Sequence, residues 1–134
     1  MKVVLDTNVF VSGIHWRNAS EEIIREWFKE RYTLVTSLQI ISEFVETMRE
    51  FKIPLSNEDI GWWESLMLEK SLLVAPKIKI DAVKDDPDDN KFIEAAIEGK
   101  AEFIVSKDWH LRKLVEYNGI KIILPENFLR LLKA

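Results

Sequence analysis

The sequence predicts an α/β fold of three layers, α/β/α, with a central parallel sheet of about five strands. Three observations carry this expectation. Short apolar runs such as Val3-Val4-Leu5 and Phe103-Ile104-Val105 have the length of strands buried on both faces. The segments between such runs carry apolar residues at helical spacing. Strand and helix alternate along the chain, the order that puts helices on both faces of a parallel sheet.

The elements follow in order. Lys2 to Leu5 is the first strand, and Asp6 to Asn18 reads as a polar loop containing Gly13. Ala19-Ser20 opens a helix whose apolar residues Ile23, Ile24, Trp27 and Phe28 share a face. Tyr32 to Val35 is the second strand. Ser37 caps a helix running to about Glu50, and Pro54 breaks the chain. Ser56 with Asp59 forms a capping arrangement for a helix through about Lys70. Leu72 to Ala75 is a third strand, and Lys77 to Asp86 a charged connector. Pro87-Asp88-Asp89 starts a helix through about Glu98, with Asp88 its expected N-cap. Glu102 to Val105 is the fourth strand. A short helix from about Leu111 ends at Asn118-Gly119, which suits a left-handed cap. Ile120 to Leu124 is the fifth strand, and Pro125 starts the terminal helix.

The 134 residues suit a single domain able to bury a core, and 47% hydrophobic with 31% charged residues is an ordinary globular mixture. The absence of cysteine excludes disulfides, zinc–thiolate centres and thiol nucleophiles. No apolar stretch has the length of a membrane span, and the chain opens on a strand rather than a signal peptide, so a cytoplasmic protein is expected. A net charge of −4 argues against a broad basic nucleic-acid surface. It leaves nucleic acid open as a substrate, because acids gathered in a metal site lower the total without touching the rest of the surface.

Two acids stand just beyond strand ends, Asp6 after the first strand and Asp108 after the fourth. Ligands of open α/β sheets bind at that edge. Each acid also reads as a loop or helix cap. Glu43 lies at the rim of a helix whose apolar face is Ile40, Ile41, Phe44, Val45 and Met48; alone it reads as a solvated residue. Asp85-Asp86-Pro87-Asp88-Asp89-Asn90 is the densest acidic run, and acids at a helix start are favoured by its dipole. Asp89 shares its direction with Phe92, Ile93 and Ala96, which points it along the top of the sheet; Asn90 or Asp86 can supply a second polar group there. Two like charges ~4 Å apart repel by ~4 kcal/mol at an effective dielectric of about 20. Gathered acids therefore take up protons or a cation. An all-oxygen shell suits Mg²⁺ or Mn²⁺ rather than zinc, and such ions serve phosphodiester hydrolysis without a nucleophilic side chain.

The chain resembles the PIN-domain family over essentially its whole length. The matching pieces are the first strand with Asp6-Thr7-Asn8, Glu43 in mid-helix, Asp85-Asp86-Pro87-Asp88-Asp89-Asn90-Lys91-Phe92 followed by the Ala95-Ala96 helix, and Phe103-Ile104-Val105-Ser106-Lys107-Asp108. The resemblance implies a small α/β fold and an Mg²⁺- or Mn²⁺-dependent endoribonuclease acting on single-stranded RNA. It is similar to the small prokaryotic members, many of them VapC-like toxins of toxin–antitoxin pairs, which implies an antitoxin partner and a homodimer. Carried over by position, Asp6, Glu43, Asp89 and Asp108 are the acidic quartet that is catalytic and binds metal, with Asn8 and Ser106 as supporting polar groups. Spacing back from Asp108 admits either Asp89 or Asn90 in the third place; charge and direction favour Asp89, and Asn90 there would lower metal affinity.

Other residues read more plainly. His15 and His110 are expected as loop residues rather than general bases. Trp62 and Trp63 cannot both face one core, so one belongs to the surface or a dimer contact. Trp16 and Trp109 are expected in core packing, with base stacking as the alternative. Arg17, Lys107, Arg112 and Lys113 are candidates for phosphate contacts, or simply solvated. A phosphatase of the haloacid-dehalogenase type is disfavoured, because Asn8 stands where that pattern wants a second acid. A catalytically degenerate module that binds RNA or a partner protein without cleavage is the remaining alternative.

Overall fold

The computed structural model describes residues 1–134. Five parallel strands form the sheet: β1 (Lys2–Leu5), β2 (Thr33–Ser37), β3 (Leu72–Val74), β4 (Phe103–Val105) and β6 (Ile120–Ile123); a sixth, β5 (Glu116–Tyr117), runs antiparallel along one edge. The spatial order is β3-β2-β1-β4-β6-β5. The central strand β1 pairs with β2 on one side and β4 on the other, with Val4 opposite Val35 and Leu5 opposite Val105. The acidic edge is therefore the carboxyl end of two adjacent strands.

Both faces of the sheet are covered, the condition under which strands lose polar alternation. Val3, Leu5, Leu34 and Val105 join one core with residues of α1 (Thr7–His15), α2 (Ala19–Phe28), α3 (Leu38–Glu50), α4 (Asn57–Lys70) and α7 (Pro125–Lys133). Val4, Val35, Ile104 and Ile122 join the other with α5 (Asn90–Glu98) and α6 (Trp109–Arg112). Trp27 is buried in the first core, packs edge-on against Phe10 at 5.7 Å, and donates its indole N–H to the Lys70 carbonyl at 3.2 Å. The expected caps form: Ser37 accepts from Ile40 N at 3.3 Å, and Ser56 from Asp59 N at 3.1 Å. No helix is long and apolar enough to cross a membrane.

The structure corrects three local expectations. The segment after β1 is not a polar loop, since Thr7 to His15 forms α1 with Val9, Phe10 and Val11 buried. Gly13 lets this helix close onto α2: a Cβ there would lie 2.6 Å from Ile24 Cδ1 and 2.7 Å from the Ser20 carbonyl oxygen. Asn118-Gly119 is not a helix cap. With φ of 49° and 84° it turns a β-hairpin, pairing Tyr117 with Ile120, and α6 stops at Arg112. Two consecutive positive φ values are what a two-residue hairpin turn requires. Finally, Asp88 caps nothing: Pro87–Asp89 is a single 3₁₀ turn, and α5 begins at Asn90 with Asp89 in the preceding position and no side-chain cap bond.

Candidate metal centre

The site is built where β1 and β4 end side by side. Asp6 N donates to the Val105 carbonyl at 3.0 Å, and Ser106 N to the Ile123 carbonyl at 3.0 Å, so the first residues beyond the strands stay in register. Ser106 is completely buried. Its hydroxyl donates to Asp6 Oδ2 at 2.6 Å and accepts from Asp108 N at 2.9 Å. One side chain thus ties the acid after β1 to the acid after β4. Asp6 Oδ1 accepts from Asn8 N at 3.3 Å, capping α1, while the Asn8 side chain is exposed. Asp108 Oδ1 accepts from His110 N at 2.9 Å, capping α6. Both acids are caps and members of the cluster at once; the two sequence readings are not alternatives.

Asp89 arrives from the 3₁₀ turn before α5. It is 7% exposed, and its Oδ2 is buried with no hydrogen-bond donor from the protein. An unmet buried carboxylate oxygen is costly. Burial, the bond to Asp108, and then the charges of Asp6, Asp108 and Asp86 push the Asp89 carboxyl up to about 9. Burial raises Asp6 to about 6 against the lowering effect of the Ser106 and Asn8 bonds, with Asp108 and Glu43 adding to the rise. Asp108 is held below the ordinary carboxylate range, chiefly by the hydrogen bond from Asp89. Three carboxyls so placed can stay together in two ways: by sharing a proton, or by sharing a cation.

Glu43 faces this group from α3, and its charge reaches Asp6. Its carboxylate is paired with Lys91 Nζ, which also donates to the Asp88 carbonyl at 2.9 Å. Lys91 is a site neighbour that the sequence reading misses; its signal is the two-residue step from Asp89 on a helix packed against α3.

Asn90 does not join the cluster as a supporting polar group. Its Oδ1 accepts from Ala82 N and Val83 N, both at 2.9 Å, and its Nδ2 donates to the Pro87 carbonyl at 3.0 Å. With its carboxamide committed to the connector, Asp89 is the residue of the pair that stands among the acids. Arg17 is also elsewhere. It borders a polar surface hollow with Glu22, Arg25 and Lys133, and none of the four acids borders that hollow. Lys107 is exposed next to Asp108. The Arg112 guanidinium lies 5.7 Å from the Trp109 ring and donates to the Lys107 carbonyl at 3.4 Å. Lys113 pairs with Asp85.

The expectation of core packing for Trp16 and Trp109 is overturned, since they are 49% and 63% exposed. Trp62 is exposed, whereas Trp63 is partly buried and stacks on Phe28 at 6.0 Å. Neither histidine is in a loop. His15 ends α1, its ring nitrogens 2.9 Å and 2.8 Å from the Val11 and Ile53 carbonyls, a structural tie between segments. His110 lies in α6 with Nδ1 3.6 Å from Asp108 Oδ1.

Residues 2–110 match the PIN domain family, a span that contains all four acids. The chain belongs to the PIN-domain family. An uncharacterized protein of Methanocaldococcus jannaschii, MJ1680, is 31% identical over 135 aligned positions, which cover 93% of this chain and 86% of that protein. PIN domains are generally nucleases that depend on divalent metals. The residues present in this PIN domain fit such an ion. Asp6, Glu43, Asp89 and Asp108 offer only carboxylate oxygens, the donors that hard divalent cations prefer, and the buried Asp89 Oδ2 lacks any protein donor.

Proposed function

We propose that this PIN domain is an Mg²⁺- or Mn²⁺-dependent endoribonuclease that hydrolyses phosphodiester bonds of single-stranded RNA. The observation that carries the proposal is the unmet, buried Asp89 Oδ2 beside Asp6 and Asp108, the two acids that Ser106 ties together. Asp6, Asp89 and Asp108 would hold the ion. When bound, the ion would activate water and neutralise charge on the phosphate. Ser106 fixes the rotamer of Asp6 and the backbone of Asp108, so the donors are set before substrate arrives. Glu43, whose charge reaches Asp6 from α3, would orient water or accept its proton, with Lys91 steadying its carboxylate. In the reaction the water oxygen bonds to phosphorus, the bond to one ribose oxygen breaks, and that oxygen leaves as a hydroxyl. Trp109 with Arg112 beside it offers a stacking face and a cation next to Asp108, which suits unpaired bases and their phosphates. Lys107 is a second phosphate contact at the same edge.

The test is cleavage of single-stranded RNA with Mg²⁺ or Mn²⁺. Asp6→Asn and Asp108→Asn should each lower the rate by at least about a hundredfold, or ~3 kcal/mol of barrier. Unchanged activity in both variants defeats the mechanism. The pairing of Glu43 with Lys91 favours a second reading, a module that binds RNA or a partner without cleavage. Titration calorimetry with Mn²⁺ separates the two, since binding absent at millimolar concentration supports the inactive module.

The toxin reading adds an antitoxin partner, and a short upstream reading frame for a DNA-binding protein would support it. A homodimer is consistent with exposed Leu72 and Leu73 on edge strand β3 and exposed Trp62 and Leu68 on α4, and sedimentation velocity measures it.

A further inference from the structure

We propose that a hollow beside the acids, between the start of α3, the connector and the start of α5, reads the base of the nucleotide next to the scissile phosphate and prefers guanine. The inference rests on the reading of the acids as a ribonuclease centre and adds the base that such a centre would select.

The hollow holds about 450 Å³ and is lined almost wholly by polar residues, Gln39, Lys79, Asp88 and Glu94 among them. Lys91 joins it to the acids, since it borders the hollow and pairs with Glu43. Gln39 and Glu43 are four apart on α3, so they share a face and stand about 6 Å apart along its axis. That step is comparable with the spacing of neighbouring phosphates in an extended strand. The strand order fixes the hollow's side of the sheet. It lies against the helix that leaves β2, whereas Trp109 opens the helix that follows β4, and β1 with Asp6 at its end runs between them. A single strand stacked on Trp109 therefore crosses the acids and brings a base to the hollow on the far side.

The hollow is formed before any ligand arrives. Its connector wall is held by Glu94 Oε2, which accepts from Ile80 N at 2.9 Å, and by Asn90 Oδ1, which accepts from Ala82 N and Val83 N at 2.9 Å. Ile80 and Pro87 give apolar surface for the face of a base.

The charges decide which part of a nucleotide enters. Asp81, Asp88 and Glu94 border the hollow against the ammonium groups of Lys79 and Lys91. That excess of carboxylate repels a phosphate and favours a base with N–H donors. Asp81 is occupied by Lys84, and Lys91 by Glu43. Lys79, Asp88 and Gln39 are exposed, and neither Lys79 nor Asp88 belongs to an ion pair. A ligand must thus answer a carboxylate, an ammonium and a carboxamide. Guanine answers all three: its N1–H and N2–H₂ donate side by side to a carboxylate, and its O6 and N7 accept from an ammonium or an amide. Uracil has one N–H donor, and adenine and cytosine have only their amino group, so none of these meets both oxygens of a carboxylate with adjacent donors.

The experiment uses the full chain and two readouts. The first is cleavage, with Mn²⁺, of an oligouridylate carrying a single guanine, adenine or cytosine, with product lengths giving the position. Cleavage should fall beside the guanine, with kcat/KM at least about fivefold above that of plain oligouridylate, the lower end of what a paired base contact discriminates. Gln39→Ala and Asp88→Asn, both at exposed positions, should each bring that ratio close to one, mainly through KM. The second readout is the NMR spectrum of the metal-free protein, which leaves RNA intact. The trinucleotide UGU should shift the Gln39 side-chain amide and the Ile80 N–H, and UUU should not. Cleavage without a guanine preference, a preference that both variants keep, or a Gln39 amide that UGU leaves unmoved while cleavage proceeds overturns the inference and leaves the nuclease reading standing. Shifts at Gln39 without cleavage keep the hollow as a guanine site and refute the nuclease. Neither shifts nor cleavage refutes both.

Discussion

Replacing Asp89 with asparagine separates the two ways in which the carboxyl cluster can be held together. In the metal-free fold Asp89 keeps its proton up to about 9, against an ordinary value of 3.8. An acid whose pKa is raised by folding contributes stability that is fully present below the unfolded value and is lost as pH rises through the folded one. The metal-free protein should therefore lose stability between pH 4 and pH 9. At pH 7 the interval above 3.8 is about three units, which sets an upper limit of roughly 4 kcal/mol. Asp108 is shifted the other way by the same hydrogen bond and returns part of this, so the net effect is smaller than that limit. An asparagine at this position would carry no such cost, and its amide can donate to Asp108. Asp89→Asn should thus raise the melting temperature at pH 7 in EDTA by several degrees, with the gap closing towards pH 4. Under the proposed function, saturating Mn²⁺ should reverse the ranking. At a hundred times its Kd, the ion stabilises the wild type by about 2.7 kcal/mol, or about 10 °C, and the variant by much less. Calorimetric melts from pH 4 to 8, with EDTA and with Mn²⁺, measure all four quantities. A variant less stable than wild type at pH 7 in EDTA, or with a parallel pH dependence, refutes the account of Asp89.

Three further predictions rest on other contacts. Ser106→Ala removes the donor to Asp6 and the acceptor for Asp108 N, so stability should fall by about 1–3 kcal/mol, and the Asp6 carboxyl should titrate above 6 in a carbon-13 NMR titration. Asn90→Ala removes three hydrogen bonds to the connector and Pro87; it should cost about 2–3 kcal/mol and speed amide exchange at Ala82 and Val83, while lowering Mn²⁺ affinity less than Asp89→Asn does. Gly13→Ala forces α1 away from the Ser20 carbonyl, a fixed backbone atom 2.7 Å from the new carbon, and should destabilise by about 1–3 kcal/mol; an unchanged melting temperature contradicts the packing described.

The parallel core of the sheet was legible because its strands are buried on both faces, which leaves uninterrupted apolar runs such as Val3 to Leu5. Asp6 and Asp108 were legible for the same reason, as the first acids beyond such runs. The segment after β1 was misread because its polar residues Thr7, Asn8 and Ser12 hide a helix only nine residues long, held mainly by tertiary contacts. The hairpin was misread because Asn-Gly serves both as a helix cap and as a hairpin turn. What selects the turn is the pairing of Glu116 and Tyr117 with β6, a two-residue strand too short to show periodicity. The pairing of Lys91 with Glu43 and the approach of His110 to Asp86 were not legible, since both depend on packing between elements distant in sequence.

The choice between Asp89 and Asn90 has a physical basis in the helix that follows them. The connector from Lys77 to Asp86 has no regular structure, so its backbone amides need acceptors. Residues 90, 94 and 98 supply them, four apart along α5. Asn90 Oδ1 takes the amides of Ala82 and Val83, Glu94 Oε2 takes Ile80 N at 2.9 Å, and Glu98 Oε1 takes Lys77 N at 3.2 Å. Residues spaced by four share one helix face, so these three form a rail along which the connector runs antiparallel to α5. A residue one position before the rail is turned by about 100° from it, and this sends the Asp89 carboxyl to the strand ends while Asn90 faces the connector. The rail also delivers Asp86 to the start of α6, beside Asp108 and His110. Exchanging the two residues, Asp89→Asn with Asn90→Asp, would therefore not move the acid by one place. It would set a carboxylate on the rail, where it could still accept the two connector amides but not donate to the Pro87 carbonyl, and would leave the proposed metal centre one charge short.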